Sequence, residues 1–258
     1  MLELKNVNSG YAGNNVLKNV SLEFEKGCFT AILGENGSGK TTMMNTVAGI
    51  IKNTSGEIII DGIDVSSLNK RERARLVSYL MQGVNTPEMT VGELVLHGRF
   101  PYLDFPYIYS RRDRGIADDC MKTMDVLHLK DRMMTTLSGG MKQRVYLAMA
   151  LCQNSEYILL DEPTTYLDVS KSGALMELLV NISKSGKGIV SVIHDIPLAL
   201  TYADDIVLMK DGMVIKKGKC EDVFLSRAID RVFGVSVERR ICENGFIYYI
   251  AHNKNNSL

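Results

Sequence analysis

A glycine-rich segment in the first fifth of the chain has the composition of a phosphate-binding loop. Residues 34–41 read Gly-Glu-Asn-Gly-Ser-Gly-Lys-Thr and fit the pattern G-x-x-x-x-G-K-[ST], between an apolar run and a stretch that can form a helix. Glycines let the backbone curl so that its N–H groups point inward at the positive end of that helix, where an anion is stabilised. Lys40 would then reach the β- and γ-phosphates of a nucleotide, and the Thr41 hydroxyl would bind Mg²⁺. The alternative is a glycine-rich turn before an ordinary helix. The predicted nucleotide-binding residues in and beside this segment are Gly34, Asn36, Gly37, Ser38, Gly39, Lys40, Thr41 and Thr42.

A second candidate site lies where an apolar stretch ends in two acids. Residues 157–163 read Tyr-Ile-Leu-Leu-Asp-Glu-Pro. Ligands of open parallel sheets collect at the carboxyl ends of the strands, which is where these acids would stand. Asp161 suits the coordination shell of Mg²⁺, and Glu162 suits a general base or a group that orients water toward a γ-phosphate. Two solvated acids at the end of a strand are the alternative.

A third segment predicts another anion-binding helix end. Residues 137–144 read Leu-Ser-Gly-Gly-Met-Lys-Gln-Arg. Ser138 is a good N-cap, and Gly139 and Gly140 would expose backbone N–H groups at the start of an amphipathic helix. Two phosphate sites of different design for a single nucleotide suggest that the sites meet across a dimer. Taken alone, the segment could equally be an ordinary capped helix.

The apolar segments that would position these residues indicate a parallel sheet. Short apolar runs and alternating stretches predict strands, and one strand–helix–strand succession implies parallel strands joined by right-handed crossovers. From about 87 to 153 the strand signals vanish, and the pattern is typical of a helical insertion. The polar end of the chain, residues 253–258, is expected to fray. The predicted strands lie within 2–4, 20–24, 28–33, 56–62, 157–160, 189–193 and 207–215, and the crossover helix within 170–184.

Composition limits the kinds of partner that the chain can have. The chain has 258 residues, with 30 Lys and Arg against 30 Asp and Glu, so its formal net charge is zero. A protein that binds nucleic acid usually carries a basic excess, and we therefore expect no nucleic-acid partner. No apolar run approaches the length of about 18 residues that a membrane-spanning helix needs. These features favour a globular protein of the cytoplasm.

Taken together, the three motifs resemble those of the ATP-binding subunit of ABC transporters, over nearly the whole chain. The resemblance implies an α/β fold with a P-loop NTPase core and a mainly parallel sheet, an N-terminal antiparallel β-subdomain and an inserted α-helical subdomain. It implies one domain, in which residues 1–86 and 154–258 form the nucleotide-binding core with the β-subdomain. Residues 87–153 would be the helical part that carries the third motif.

The resemblance also gives roles to isolated positions. Tyr11 matches the aromatic residue that stacks on adenine, and Gln82 matches the glutamine that touches Mg²⁺ and relays to the membrane partner. Leu167 and Asp168 match a loop that contacts the opposite subunit, and His194 matches the histidine that senses the γ-phosphate. The implied catalytic residues are Glu162, His194 and Lys40, and the implied metal ligands are Thr41, Gln82 and Asp161.

Several partners follow from the same resemblance. ATP and Mg²⁺ would be the cofactors, and two copies of the chain would close head-to-tail over two ATP molecules. Each ATP would lie between the Lys40 loop of one copy and residues 138–140 of the other. Two copies of an integral membrane permease would dock near Gln82 and residues 97–110, at the cytoplasmic face of the membrane. An extracytoplasmic substrate-binding protein would act indirectly.

The variable parts of the chain are similar to one importer subfamily, which moves iron–siderophore complexes, haem or cobalamin. The similar segments are residues 96–102, Leu-His-Gly-Arg-Phe-Pro-Tyr, residues 163–168, Pro-Thr-Thr-Tyr-Leu-Asp, and residues 232–235, Val-Phe-Gly-Val. His97 and the Ile196-Pro197 pair depart from the subfamily pattern and leave the cargo open.

Other functions remain possible at this point. They are an ATPase of another importer class or of an exporter, a non-transport ABC module that binds nucleic acid, and a switch that binds ATP without turnover. The Glu162 carboxylate argues against the last.

Overall fold

A computed structural model gives the fold and describes residues 1–83, 85–165, 167–242 and 245–251. Tyr166 and the segment 253–258 lie outside the described residues. The strands are β1 (Leu2–Tyr11), β2 (Asn14–Phe24), β3 (Phe29–Gly34), β4 (Asn53–Ile60), β5 (Ile63–Asp64), β6 (Val77–Leu80), β7 (Tyr157–Asp161), β8 (Gly188–Val192), β9 (Asp205–Lys210), β10 (Met213–Lys219), β11 (Ser236–Cys242) and β12 (Gly245–Ala251). The helices are α1 (Lys40–Ala48), α2 (Lys70–Leu76), α3 (Val91–His97), α4 (Arg111–Thr123), α5 (Gly139–Cys152), α6 (Val169–Lys184), α7 (Ile196–Tyr202), α8 (Cys220–Leu225) and α9 (Ala228–Phe233).

A central sheet runs in the order β10-β9-β3-β8-β7-β6 within the described part of the chain. All neighbours in it pair in parallel except the hairpin of β9 and β10. The crossover helix α6 joins β7 to β8, as the strand–helix–strand succession predicts. A second sheet, antiparallel and in the order β2-β1-β4-β5, is built by the N-terminal part. The predicted α/β fold, with its mainly parallel sheet and N-terminal antiparallel part, is confirmed.

Side chains that alternate along the central strands divide the interior into two hydrophobic cores. On β7, Ile158 and Leu160 pack into the core that also holds residues of α3 to α7, whereas Tyr157 and Leu159 pack into the core shared with α1 and the antiparallel sheet. Successive strand residues point to opposite faces, so a strand buried on both faces is apolar along most of its length. This explains why β3, β7 and β8 are nearly continuous apolar runs in the sequence, with Thr30 in β3 and Ser191 in β8 as small polar interruptions.

The helices α3, α4 and α5 occupy the chain between β6 and β7. Thr90 and Ser110 are the N-cap residues of α3 and α4. Each forms a capping box, because its backbone N–H donates to the carboxylate of Glu93 or Asp113, three residues later. Within the described ranges, no helix has the length and apolar character to cross a bilayer. The division of the chain near residues 86 and 153 stays a prediction.

Several elements were not predicted from the sequence, among them β5 and α7 to α9. The short pair of α2 and β6 adds an outer strand to the central sheet, and β11 and β12 form a separate C-terminal hairpin. The strand β6 positions one of the predicted site residues, because Gln82 lies just beyond its end.

Candidate functional site

Four neighbouring parallel strands end at one edge of the central sheet, and the candidate residues lie at their ends. β3 ends at Gly34 and β7 ends at Asp161, while Gln82 follows β6 and His194 follows β8. Because the carboxyl ends of parallel strands share one edge, segments that are far apart in sequence meet there.

The phosphate loop, residues 34–41, depends on glycine at two points. Gly39 has a φ of 97°, in the left-handed region that strains residues with a side chain. A Cβ on Gly34 would lie 2.5 Å from the Met209 carbonyl oxygen and 2.5 Å from the Ser38 Oγ. The loop leads directly into α1, and the N–H groups of the first turn of a helix have no acceptor within the helix. These amides are therefore available to an anion.

Lys40 folds back over the phosphate loop. Its Nζ donates hydrogen bonds to the carbonyl oxygens of Gly34, at 2.7 Å, and Glu35, at 2.9 Å. Burial lowers the pKa of the Lys40 ammonium, and the charges of Glu162 and Asp161 oppose this shift in part. The side chain is thus held between the loop and the two acids.

Asp161 is buried and has one carboxylate oxygen without a protein partner. Its Oδ2 accepts a hydrogen bond from the Tyr79 hydroxyl at 3.3 Å, whereas its Oδ1 has no partner among the described residues. Burial raises the pKa of this carboxyl, although the Thr41 hydroxyl lowers it in part. A buried carboxylate oxygen without a donor is costly. The hydroxyl and carboxylate oxygens here are ligands that Mg²⁺ prefers, so the residues present fit this ion.

Three side chains surround the Glu162 carboxylate. The Gln82 Nε2 donates to its Oε2 at 2.6 Å, and the Thr165 hydroxyl donates to the same oxygen at 3.1 Å. The His194 Nε2 forms a close contact with its Oε1. Glu162 has a φ of 54°, which is uncommon for a residue with a side chain and is a kind of strain that concentrates at functional sites. The structure thus brings Gln82, Glu162 and His194 together.

Tyr11 ends β1 with a partly exposed ring. Its side chain is held in place by Asn45 of α1, whose Nδ2 donates to the Tyr11 hydroxyl at 3.0 Å. The residue is 47% exposed. Tyr11 is therefore tied to the helix that leads from the phosphate loop, and its ring has surface left for stacking on a base.

The third motif lies apart from the phosphate loop. The Ser138 hydroxyl caps α5 by accepting a hydrogen bond from a backbone N–H of the first turn. Ser138 and Gly140 line a cavity of about 470 Å³ together with Asp168. Gly139 lines that cavity and also a second one, of about 250 Å³, which reaches Glu162. Neither cavity is lined by the phosphate loop in the part of the chain that the structure describes. Within the described residues, the cavities at the third motif are thus not shared with residues 34–41.

Arg99, which lies within the predicted permease contact at residues 97–110, is buried by contacts within the chain. Arg99 is only 8% exposed. Its guanidinium donates to the Asp113 Oδ1 at 3.1 Å and to the Cys152 carbonyl oxygen at 3.1 Å, and it lies 3.9 Å from the centroid of the Tyr102 ring. Arg99 thus ties the start of the segment to α4 and α5, and its main contacts are within the chain.

Residues 100–108, which we call the aromatic segment, present large apolar side chains to solvent. Phe105 is 85% exposed and Ile108 is 73% exposed. Arg71 of α2 holds the segment from behind, since its guanidinium donates to a backbone carbonyl of the segment at 3.1 Å and lies 4.7 Å from the centroid of the Tyr107 ring. The aromatic segment is therefore an exposed apolar surface that Arg71 connects to α2.

Two residues of the site were not predicted from the sequence. Tyr79 and Thr165 donate to the two acids, and each lies three positions from a predicted residue, Gln82 or Glu162. A search for hydroxyl side chains flanking the motif residues would have found both.

Comparison with known proteins places these motifs in context. The family model described as ABC transporter matches residues 17–165. The petrobactin import ATP-binding protein YclP of Bacillus subtilis (strain 168) is 34% identical over 247 residues, which cover 95% of this chain and 97% of that protein. The ferric enterobactin transport ATP-binding protein FepC of Escherichia coli (strain K12) is 34% identical over 228 residues, covering 88% of this chain and 84% of that protein.

One solved structure is similar to this chain in both fold and sequence. It is the dimeric post-hydrolysis state of the ATP-binding cassette MJ0796 bound to ADP and Pi. The TM-score is 0.76 and the identity is 33%, covering 85% of this chain and 99% of that chain.

Proposed function

The chain belongs to the ABC transporter family and is an ATPase that binds ATP, and we propose that ATP hydrolysis by this chain energises the import of an iron–siderophore, haem or cobalamin-type metal complex through a membrane permease. The observation that carries this proposal is the match along 95% of the chain to a protein named for petrobactin import. An exporter or another importer class is the alternative, and the relatives named for siderophore transport favour the first reading.

Glu162 is the proposed general base, because its carboxylate is oriented by neighbours on both sides. Hydrogen bonds from Gln82 and Thr165 hold one oxygen, and His194 contacts the other. A base held in this way can take a proton from water that attacks the γ-phosphate, a contribution typically of about 10²–10⁴ in rate. His194 would sense the γ-phosphate, and Lys40 would exchange its loop carbonyls for the β- and γ-phosphates.

Thr41, Asp161 and Gln82 are the proposed ligands of Mg²⁺. They offer a hydroxyl, a carboxylate and an amide oxygen, which is an all-oxygen set suited to a hard cation. The unpartnered Oδ1 of buried Asp161 supports this assignment. When bound, the ion would neutralise charge on the phosphates.

The proposed working unit is a head-to-tail homodimer with two ATP molecules at the interface. The cavity that Ser138 and Gly140 line supports it, because among the described residues this cavity includes none of the phosphate loop and a second copy could supply that half of the site. Asp168, which lines the same cavity as Ser138, would then face the opposite copy. ATP held between two copies would stabilise the closed dimer by mass action.

The proposed membrane partner is a permease present in two copies, at the cytoplasmic face of the membrane. Gln82 and the aromatic segment would form its dock, and an extracytoplasmic substrate-binding protein would act through the permease. The exposed Phe105 and Ile108 support this dock, because neighbouring apolar side chains that face solvent are typical of a protein interface.

Uptake measurements in the source organism test the proposal. The gene for this chain is deleted, and uptake of labelled ferric catecholate, ferric hydroxamate, haem and cobalamin is measured separately. We expect the uptake of one of these classes to be lost and to return with the native chain but not with Glu162→Gln. Glu177→Gln, which changes an exposed acid on α6, is the matched control and should restore uptake.

The purified Glu162→Gln chain links uptake to chemistry. It should bind ATP as the native chain does and hydrolyse it at least about 100-fold more slowly. Hydrolysis at the native rate would remove Glu162 from the role of base. Unchanged uptake of all four cargo classes after deletion would refute the import proposal.

A further inference from the structure

The outer strand β6 and the turn that follows it each supply a hydrogen-bond donor to one of the two consecutive acids. The Tyr79 hydroxyl donates to Asp161, and the Gln82 amide, three residues later, donates to Glu162. β6 and β7 pair in parallel, with Tyr79 opposite Leu159. The register of this strand pair therefore fixes where both donors stand relative to both acids.

The Tyr79 phenol can act only as a donor toward Asp161. Its half-buried ring packs against the core shared with α1 and the antiparallel sheet, so the hydroxyl has a fixed position. A phenol ordinarily carries its proton at physiological pH, so the Tyr79 hydroxyl has a proton to donate to the carboxylate. The Asp161 carboxylate thus has one oxygen bound and one without a partner among the described residues.

We propose that Tyr79 is a positioning residue that binds one oxygen of Asp161 and so keeps the other oxygen oriented for Mg²⁺. This inference rests on the proposed metal role of Asp161. Residues that orient a metal ligand through a hydrogen bond typically change metal affinity by about 10- to 100-fold when they are replaced. Because the hydroxyl is 3.3 Å from the Asp161 oxygen, which is long for such a bond, we expect an effect near the lower end of that range.

The test measures metal binding without turnover. The full chain is held in excess over the non-hydrolysable ATP analogue AMP-PNP, and Mn²⁺ is titrated in with free Mn²⁺ followed by electron paramagnetic resonance. Tyr79→Phe removes the hydroxyl and keeps the ring. It should weaken Mn²⁺ binding about 10-fold, while AMP-PNP affinity in EDTA stays within about 2-fold of the native value.

Tyr157→Phe is the matched control. Its hydroxyl is also 3.3 Å from its acceptor, the Phe24 carbonyl oxygen, but it stands at the opposite end of β7 from Asp161. This variant should bind Mn²⁺ as the native chain does. Equal weakening in both variants would indicate a general loosening of the fold and would overturn the inference.

Asp161→Asn separates this inference from the proposed function. If Asp161→Asn binds Mn²⁺ as tightly as the native chain, the metal role of Asp161 itself is wrong. If Asp161→Asn weakens binding but Tyr79→Phe does not, only the role of Tyr79 is refuted. When Tyr79→Phe is added to Asp161→Asn, the Mn²⁺ affinity should not fall further.

Discussion

The burial of Arg99 predicts that this residue stabilises the fold, and the size of that contribution can be measured. The replacement Arg99→Ala removes a buried cation and leaves the Asp113 carboxylate, whose side chain is only 13% exposed, without its ion-pair partner. It also removes the donor to the Cys152 carbonyl and the cation above the Tyr102 ring. We therefore expect a loss of stability rather than a selective loss of coupling to a permease.

The size of that loss follows from three contacts. The charge-assisted hydrogen bond to Asp113 is worth about 1.5–3 kcal/mol and the bond to the Cys152 carbonyl about 1 kcal/mol. The cation above the ring adds about 1 kcal/mol. The sum is about 4 kcal/mol, within the range of about 3–5 kcal/mol for removing one partner of a buried ion pair. For a chain of this length the melting temperature should fall by roughly 8 °C or more.

Urea unfolding followed by circular dichroism measures the free energy of unfolding. Arg99→Lys keeps the charge but loses the forked geometry, so it should cost about 1–2 kcal/mol. Arg112→Ala, which replaces an exposed arginine on α4, should change stability by less than about 0.5 kcal/mol. The reasoning fails if Arg99→Ala costs less than about 1 kcal/mol, or if Arg99→Ala and Asp113→Asn add without coupling.

The free energy of unfolding, measured as the pH is lowered, gives a second test of the Arg99–Asp113 ion pair. Burial raises the pKa of Asp113, but hydrogen bonds from Ser110 and Arg99 hold the net value below its usual range. A carboxyl with a depressed folded-state pKa stabilises the fold above its unfolded pKa, and this stabilisation is lost as the pH falls below about 4. In Arg99→Ala the depression shrinks, so stability should depend less steeply on pH there.

Two further predictions concern the nucleotide site and the dock. Lys40→Ala should weaken ATP binding at least about 10-fold in calorimetry, because it removes a charged donor to the phosphates; the exposed Lys52→Ala should not, and equal affinity in both would exclude the loop as the phosphate site. Phe105→Asp should lower cargo uptake in cells and leave the ATPase rate of the purified chain unchanged, because the side chain is exposed and is not part of the nucleotide site. The control Ile63→Asp replaces an exposed apolar residue of the antiparallel sheet and should leave both quantities unchanged. Native uptake with Phe105→Asp would remove the aromatic segment from the dock.

Sequence reasoning was most successful where a few consecutive residues determine the structure. The phosphate loop and the paired acids are local patterns, and the continuous apolar runs of β3 and β7 identify strands buried on both faces. The strand β6 escaped prediction because it has four residues, too few to establish a period. Its importance comes from pairing with β7, which lies about 80 residues further along the chain.

Arg99 shows a different limit of sequence reasoning. A charged residue among aromatic residues in a short segment is usually exposed, and nothing nearby in sequence indicates otherwise. It is buried because Asp113 and the end of α5, which lie 14 and 53 positions away, supply its hydrogen-bond acceptors. Such burial depends on tertiary packing and is visible only in the fold.

The two outer strands of the central sheet also affect how copies of the chain can associate. An unpaired strand edge invites further strands and leads to aggregation unless it is short or charged. β6 has only four residues, and β10 carries exposed lysines at 216, 217 and 219. Both edges are therefore poor templates for adding another strand. Joining of copies through these two edges is therefore disfavoured, which is compatible with the proposed reversible closure over ATP through the face with the motifs.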